Sequence, residues 1–98
     1  MQDLDEIIHQ PVRLRIMAAL KALPARESIE FVRLRGIVAA TEGNLGAHLA
    51  TLEKHGYVRI EKDFVGKKPR TSVTLSTAGR RAFEHYVEHL RGILDGEA

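Results

Sequence analysis

The stretch "TEGNLGAHLATLEKHGYVRIEKDFVGKKPRTSVTL", Thr41 to Leu75, changes its apolar period in mid-course. Before Gly56, Leu45, Leu49 and Leu52 recur at the spacing of one helix face. Thr41 is a good N-cap, Glu42 suits the positive end of the helix dipole, and Gly56 stops the helix. After Gly56 the period is two. Val58, Ile60, Lys62 and Phe64 alternate with Tyr57, Arg59, Glu61 and Asp63, and "TSVTL" puts Val73 and Leu75 on one side. The stretch therefore predicts a helix, then two strands joined through "VGKKPR", a hairpin with a glycine and a proline in its loop.

Immediately upstream, "FVRLRGIVAA" spaces Phe31, Leu34, Ile37 and Val38 as a second, short helix. The "VAAT" that follows leaves a connection of about three or four residues, the length of the turn between two helices that cross. "RESIEF" is either a small strand or a loop. Further back, Val12, Ile16, Ala19, Leu20 and Leu23 form one helix face, with Pro11 in the first turn and Pro24 ending it. Leu4, Ile7 and Ile8 extend a similar pattern and predict a short acidic helix broken near Pro11. Downstream, "LSTAGRRAFEHYVEHLRGIL" is a last helix capped by Ser76, with Phe83, Tyr86, Val87, Leu90 and Leu94 in a narrow arc and Ile93 beside it.

Composition narrows the possibilities. Ninety-eight residues fit one small domain with a thin core, and no cysteine is present for disulfide, thiolate metal site or thiol catalysis. No apolar run is long enough for a membrane span or a signal peptide, so the expected location is the cytoplasm, with no membrane partner. The net charge of +2 conceals an uneven distribution. Residues 54–81 hold Lys54, Arg59, Lys62, Lys67, Lys68, Arg70, Arg80 and Arg81 against Glu61 and Asp63, while both ends are acidic. A basic middle between acidic ends suits either a polyanion partner or a solvated face.

Helix, helix, short turn, helix, hairpin, helix is the order of a winged helix-turn-helix, an α+β fold that is mostly α with a two-stranded β wing. The expected divisions of this single 1–98 domain are a helix-turn-helix at about 31–55, a wing at about 57–75 and a C-terminal helix at about 77–94. "NLGAHLATLEKHGYVRIEKDFVGKKPRTSVTLSTAGRRAF", Asn44 to Phe83, also resembles the small winged-helix DNA-binding domains related to the MarR and ArsR families of regulators. Those families show a "HLxxLExxGYV"-like run, a wing tip with glycine, basic residues, proline and arginine, and an "LTxxGR"-like lead-in to the last helix.

The resemblance implies double-stranded DNA as partner, with the third helix in the major groove and the wing on the backbone or minor groove. On the third helix it points to Thr41, Gly43, Asn44, Ala47, His48, Thr51 and Lys54. On the wing it points to Lys62, Lys67, Lys68, Arg70 and Thr71. Asn44 can pair with adenine, or can instead serve the helix start opposite Thr41. His48 borders the apolar stripe, where a histidine more often fixes the helix than reads a base. Related domains commonly carry a serine and then a large polar or basic residue where this chain has Gly46 and Ala47. That lean surface fits a helix relying on backbone and shape contacts, or a protein-interaction module without DNA binding; the basic wing favours the first.

Two other chemistries are weighed. "GKK" lacks the glycines and the following helix of a phosphate loop. His85, Glu88 and His89 formally match H-x-x-E-H, but no third ligand accompanies them, so the expectation is a polar face, no metal, no cofactor and no enzyme. The apolar arc of the last helix is longer than one core requires. Leu4, Ile7, Ile8, Phe83, Tyr86, Val87, Leu90 and Leu94 are therefore the expected surface of a two-fold homodimer built on N- and C-terminal helices, as the resemblance also implies. No effector is identifiable.

Overall fold

The computed structural model describes residues 4–96. Its elements are α1 (Pro11–Lys21), β1 (Ser28–Glu30), α2 (Phe31–Val38), α3 (Glu42–Lys54), β2 (Val58–Val65), β3 (Lys68–Leu75) and α4 (Thr77–Leu94). The expected fold class stands, with one addition and one correction. "RESIEF" contains a strand: β1 pairs antiparallel with β3, giving a three-stranded sheet in the order β1-β3-β2. The correction concerns the N-terminus. Residues 6–8 form a turn and not a helix.

The reason for that turn is local. Asp5 Oδ1 accepts the backbone N–H groups of Ile7 at 2.8 Å and Ile8 at 3.2 Å, which offers them an alternative to helical bonds. Gln10 precedes a proline and is extended (φ −149°, ψ 134°), so a helix cannot run through it into α1. Gln10 Oε1 then caps α1 by accepting from Arg13 N at 2.8 Å, with Pro11 at the first helical position. The helix closes at Lys21, before Pro24 can intrude.

One core joins all the elements. Ile16, Met17 and Leu20 of α1, Leu34 and Val38 of α2, and Leu45, Leu49 and Leu52 of α3 are buried with Ile29, Val58, Val73, Phe83 and Tyr86. Two expectations for individual side chains change. Ile37 is 55% exposed, because the buried stripe of the short α2 is Leu34 and Val38, one turn apart, and Ile37 falls beside it. Ile8, expected on a dimer surface, is fully buried in the domain's own core.

The turn between α2 and α3 is built without glycine. Ala39 adopts the left-handed conformation (φ 54°), and two arginines serve the carbonyls left open at the end of α2. Arg15 Nε donates to Val38 O at 3.2 Å and Arg35 Nε to Ala40 O at 3.3 Å.

A tighter junction fixes α3, the wing and α4 to one another. Ser76 N donates to Tyr57 O at 3.1 Å, Ser76 Oγ donates to Gly56 O at 2.5 Å, and the same oxygen accepts from Gly79 N at 2.9 Å as the cap of α4. Gly79 lies so close that an added Cβ would stand 2.0 Å from Tyr57 O and 2.9 Å from Leu75 Cδ1. The obstacle is backbone, which cannot swing aside. Gly36 in α2 is the opposite case, with nothing within 4 Å of an added Cβ. Gly79→Ala should cost about 2–3 kcal/mol or more through overpacking, whereas Gly36→Ala should stabilise by about 0.5–1 kcal/mol through helix propensity. Urea unfolding of the two variants tests this, and a stable Gly79→Ala domain would refute the close junction.

Candidate nucleic-acid interface

The first turn of α3 is held by its cap and open to solvent. Thr41 Oγ1 accepts from Asn44 N at 3.1 Å, so it is the Asn44 backbone that serves the helix start. Its side chain is exposed and makes no hydrogen bond among the described residues. Glu42, Gly43, Ala47, Ala50 and Lys54 continue this exposed surface, and Thr51 is half-buried with its hydroxyl donating to Ala47 O at 3.3 Å. Apart from Asn44, Glu42 and Lys54 the surface is small side chains. Ala50, one turn from Ala47 and Lys54, belongs to it although the sequence reading passed over it; the i, i+3 spacing from Ala47 was the available signal.

His48 is placed differently. It is half-buried, and its Nδ1 lies 3.1 Å from Arg13 Nη1, while Arg13 Nε donates to Ile7 O. A guanidinium only donates, so His48 must accept at Nδ1 and carry its proton on Nε2. The histidine thus ties α3 to α1 and to the N-terminal turn. Arg13 gave no sign of this role in the sequence, since its partner is 35 residues away.

The wing is a hairpin paired from Val58↔Leu75 to Val65↔Lys68. The expected "VGKKPR" loop shrinks to a two-residue turn of Gly66 (φ 65°) and Lys67, with Val65, Lys68, Pro69 and Arg70 paired in the strands, because a glycine at the first position with positive φ is what a type II′ hairpin requires. Pro69 pairs with Phe64 beyond the reach of β1, which ends opposite Ser72, so its missing N–H leaves no gap in the sheet. Arg70 is engaged. Its Nε and Nη2 donate to Asp63 Oδ1 and Oδ2 at 2.9 and 2.6 Å across the strand pair, which holds the exposed Asp63 carboxyl below the usual carboxylate range. Lys62, Lys67 and Lys68 are exposed and form no ion pair among the described residues.

Known proteins share this arrangement. A family model described as "Winged helix DNA-binding domain" matches residues 12–94. The chain belongs to the winged-helix DNA-binding domain family. An uncharacterized protein of Methanocaldococcus jannaschii is 34% identical over 82 residues, covering 84% of this chain and 86% of that protein. The structure of a transcriptional regulator homologue from Pyrococcus horikoshii OT3 superposes with a TM-score of 0.84 at 30% identity, over 94% of this chain and 88% of that one. A MarR-family transcriptional regulator from Silicibacter pomeroyi gives a TM-score of 0.69 at 25% identity, over 91% of this chain but 57% of the longer regulator. The fold is that of winged-helix transcriptional regulators, and the relatives so named are regulators and not enzymes.

In this winged-helix domain the groove between α3 and the sheet marks which face of the wing looks toward α3. Gly46 and Leu49 of α3 line it together with Ile60, Lys62 and Thr71. Lys62 and Thr71 are register partners on that face, while Asp63 and Arg70 lie on the other. The predicted wing contacts therefore divide: Lys62 and Thr71 face α3, Lys67 and Lys68 occupy the tip, and Arg70 is paired on the outer face.

The expected dimer residues also divide. Phe83 and Tyr86 are buried in the domain's own core, as is Ile8, and none of the three is free to meet a partner. Leu4, Ile7, Val87 and Leu90 are half-buried, and Leu94 is 74% exposed. Tyr86 Oη lies 2.8 Å from His9 Nδ1, and Tyr57 Oη donates to Asp5 Oδ2 at 2.6 Å, with burial and that bond pushing the Tyr57 phenol up to about 12. His85 is exposed and His89 half-buried on α4, and no group of three metal-ligating side chains occurs among the described residues. No described helix is long and apolar enough to cross a membrane.

Burial first, and the Arg13 charge second, lower the His48 pKa from its ordinary value. The folded domain then binds fewer protons than the unfolded chain just below about pH 6.5, so stability falls as pH falls through that region. The urea midpoint should drop between about pH 7.5 and 5.5, and drop less in His48→Gln, whose amide oxygen can still accept from Arg13. Equal drops in the two proteins would remove His48 from the linkage.

Proposed function

We propose that this domain binds duplex DNA as a homodimer, with the first turns of α3 in the major groove and the wing on the backbone or minor groove of a two-fold related site. The observation that carries the reading is the wing: a rigid hairpin whose Lys62, Lys67 and Lys68 are left without protein partners beside a capped, exposed helix start. Asn44 is the side chain on α3 suited to pair with a base, and Lys54 and Thr51 are within the same surface. Gly43, Ala47 and Ala50 allow close approach, so backbone and shape contacts carry much of the fit.

Support for the homodimer comes from α4. A groove of about 580 Å³ beside it is floored by the buried Phe83 and edged by Val87 and Gly92, with Lys21 and Arg91 interspersed among Glu84, Glu88 and Asp95. Such an apolar strip with both charge signs is self-complementary across a two-fold axis. Ile93 (40% exposed) and Leu94 extend it beyond the core. Sedimentation should show a dimer at micromolar concentration, and Val87→Glu/Leu94→Glu should give a folded monomer by the same measurement with unchanged helical circular dichroism. A wild-type monomer would refute the dimer.

DNA binding is tested by salt. Removing two phosphate contacts per subunit, four per dimer, lowers the magnitude of the log–log salt slope by about three to four. Lys67→Ala/Lys68→Ala should show that loss on a duplex selected from a random pool. An unchanged slope takes the wing out of the interface, and no salt-dependent binding by the wild type would favour a protein-interaction module.

A further inference from the structure

We propose that Phe64 is an apolar wedge that enters the minor groove beside the wing and partly unstacks a base step there. The inference rests on the DNA-binding reading and adds to it a residue that the charge pattern does not point to. Phe64 is 70% exposed near the end of β2, a place where a large aromatic side chain contributes nothing to the core. It pairs across the hairpin with Pro69, so the tip carries an aromatic ring beside a pyrrolidine that has no N–H of its own.

The direction of this patch is fixed by the strand alternation. Ile60 and Lys62 line the groove toward α3, and Phe64 is the next residue of that same face. The opposite face at this level carries the Asp63–Arg70 ion pair. Phe64 therefore looks to the side on which α3 presents its first turn; Lys62 precedes it on that face, where Glu42 and Glu53 of α3 also line the groove, and Lys67 and Lys68 stand at the tip.

An aromatic ring framed by unpaired ammonium groups matches a surface that is apolar inside and anionic at its rim. A base stack between two phosphate backbones has that character. Apolar side chains inserted between base steps from the minor groove are a known way for proteins to bend a duplex toward the major groove. A bend in that sense would bring the flanking phosphates closer to Lys67 and Lys68.

Because the chain has no tryptophan, Phe64→Trp puts a single indole at the tip. On adding a selected duplex, its emission should be quenched and shielded from acrylamide. Phe64→Ala should weaken binding about tenfold, as expected for removing one buried aromatic side chain; 2-aminopurine placed in the duplex should brighten with wild type and not with Phe64→Ala. Binding with unaltered indole emission and no loss in Phe64→Ala would overturn the wedge and leave the DNA-binding reading standing. Failure of the wild type to bind any duplex would overturn both. A change in sedimentation of Phe64→Ala, with DNA affinity intact, would assign the side chain to contact between copies of the chain and likewise overturn the wedge.

Discussion

The end of α3, the wing and α4 are positioned by the backbone contact between Tyr57 and the first turn of α4. The carbonyl of Tyr57 accepts from Ser76 N, and Gly79 packs against the same carbonyl where any side chain would collide. Ser76 Oγ closes the arrangement by bonding Gly56 O and Gly79 N together. The end of α3, the root of the wing and the start of α4 thus share one small volume of hydrogen-bonded backbone. A shift at this point would change the angle between α3 and the wing, because Gly56 and Tyr57 lie between the end of one and the start of the other.

A second set of polar contacts ties down the N-terminal turn. Asp5 bonds Tyr57, His9 bonds Tyr86, and Arg13 spans Ile7 O and His48. Each contact joins the turn to a different element: β2's root, α4, and α3. The effect is that a segment without regular helix is integrated into the core, with Ile8 fully buried beneath it. It also places a titratable histidine of α3 in contact with a permanent cation, so the docking of that helix is electrostatically coupled to pH.

The wing shows how a single hairpin divides its labour by strand alternation. One face holds the Asp63–Arg70 pair, which fixes the strands against each other in solvent. The other continues from the core outward through Ile60, Lys62 and Phe64, passing from apolar to cationic to aromatic. The charged residues that make the tip legible as a polyanion contact are therefore not equivalent. Arg70 acts first within the protein, and the lysines remain open to a partner.

Much of this was written in the local pattern. The leucine stripe of α3, its Thr41 cap, the change to period two after Gly56 and the Ser76 cap of α4 are short-range properties, and short-range sterics and hydrogen bonding are enough to set them. Long-range partners were not readable. The pairing of β1 with β3 joins residues far apart in sequence, the attachment of Arg13 to His48 has no local signature, and Gly79 reads as an ordinary helix glycine until Tyr57 is brought against it. The sequence by itself determined the order of the four helices and the wing, the caps of α3 and α4, and that the wing would be basic. Only the tertiary structure decided that Ile8, Phe83 and Tyr86 belong to the domain's own core and that, among the described residues, Arg70 is paired while Lys62, Lys67 and Lys68 are not, because burial and ion pairing depend on which distant surfaces meet.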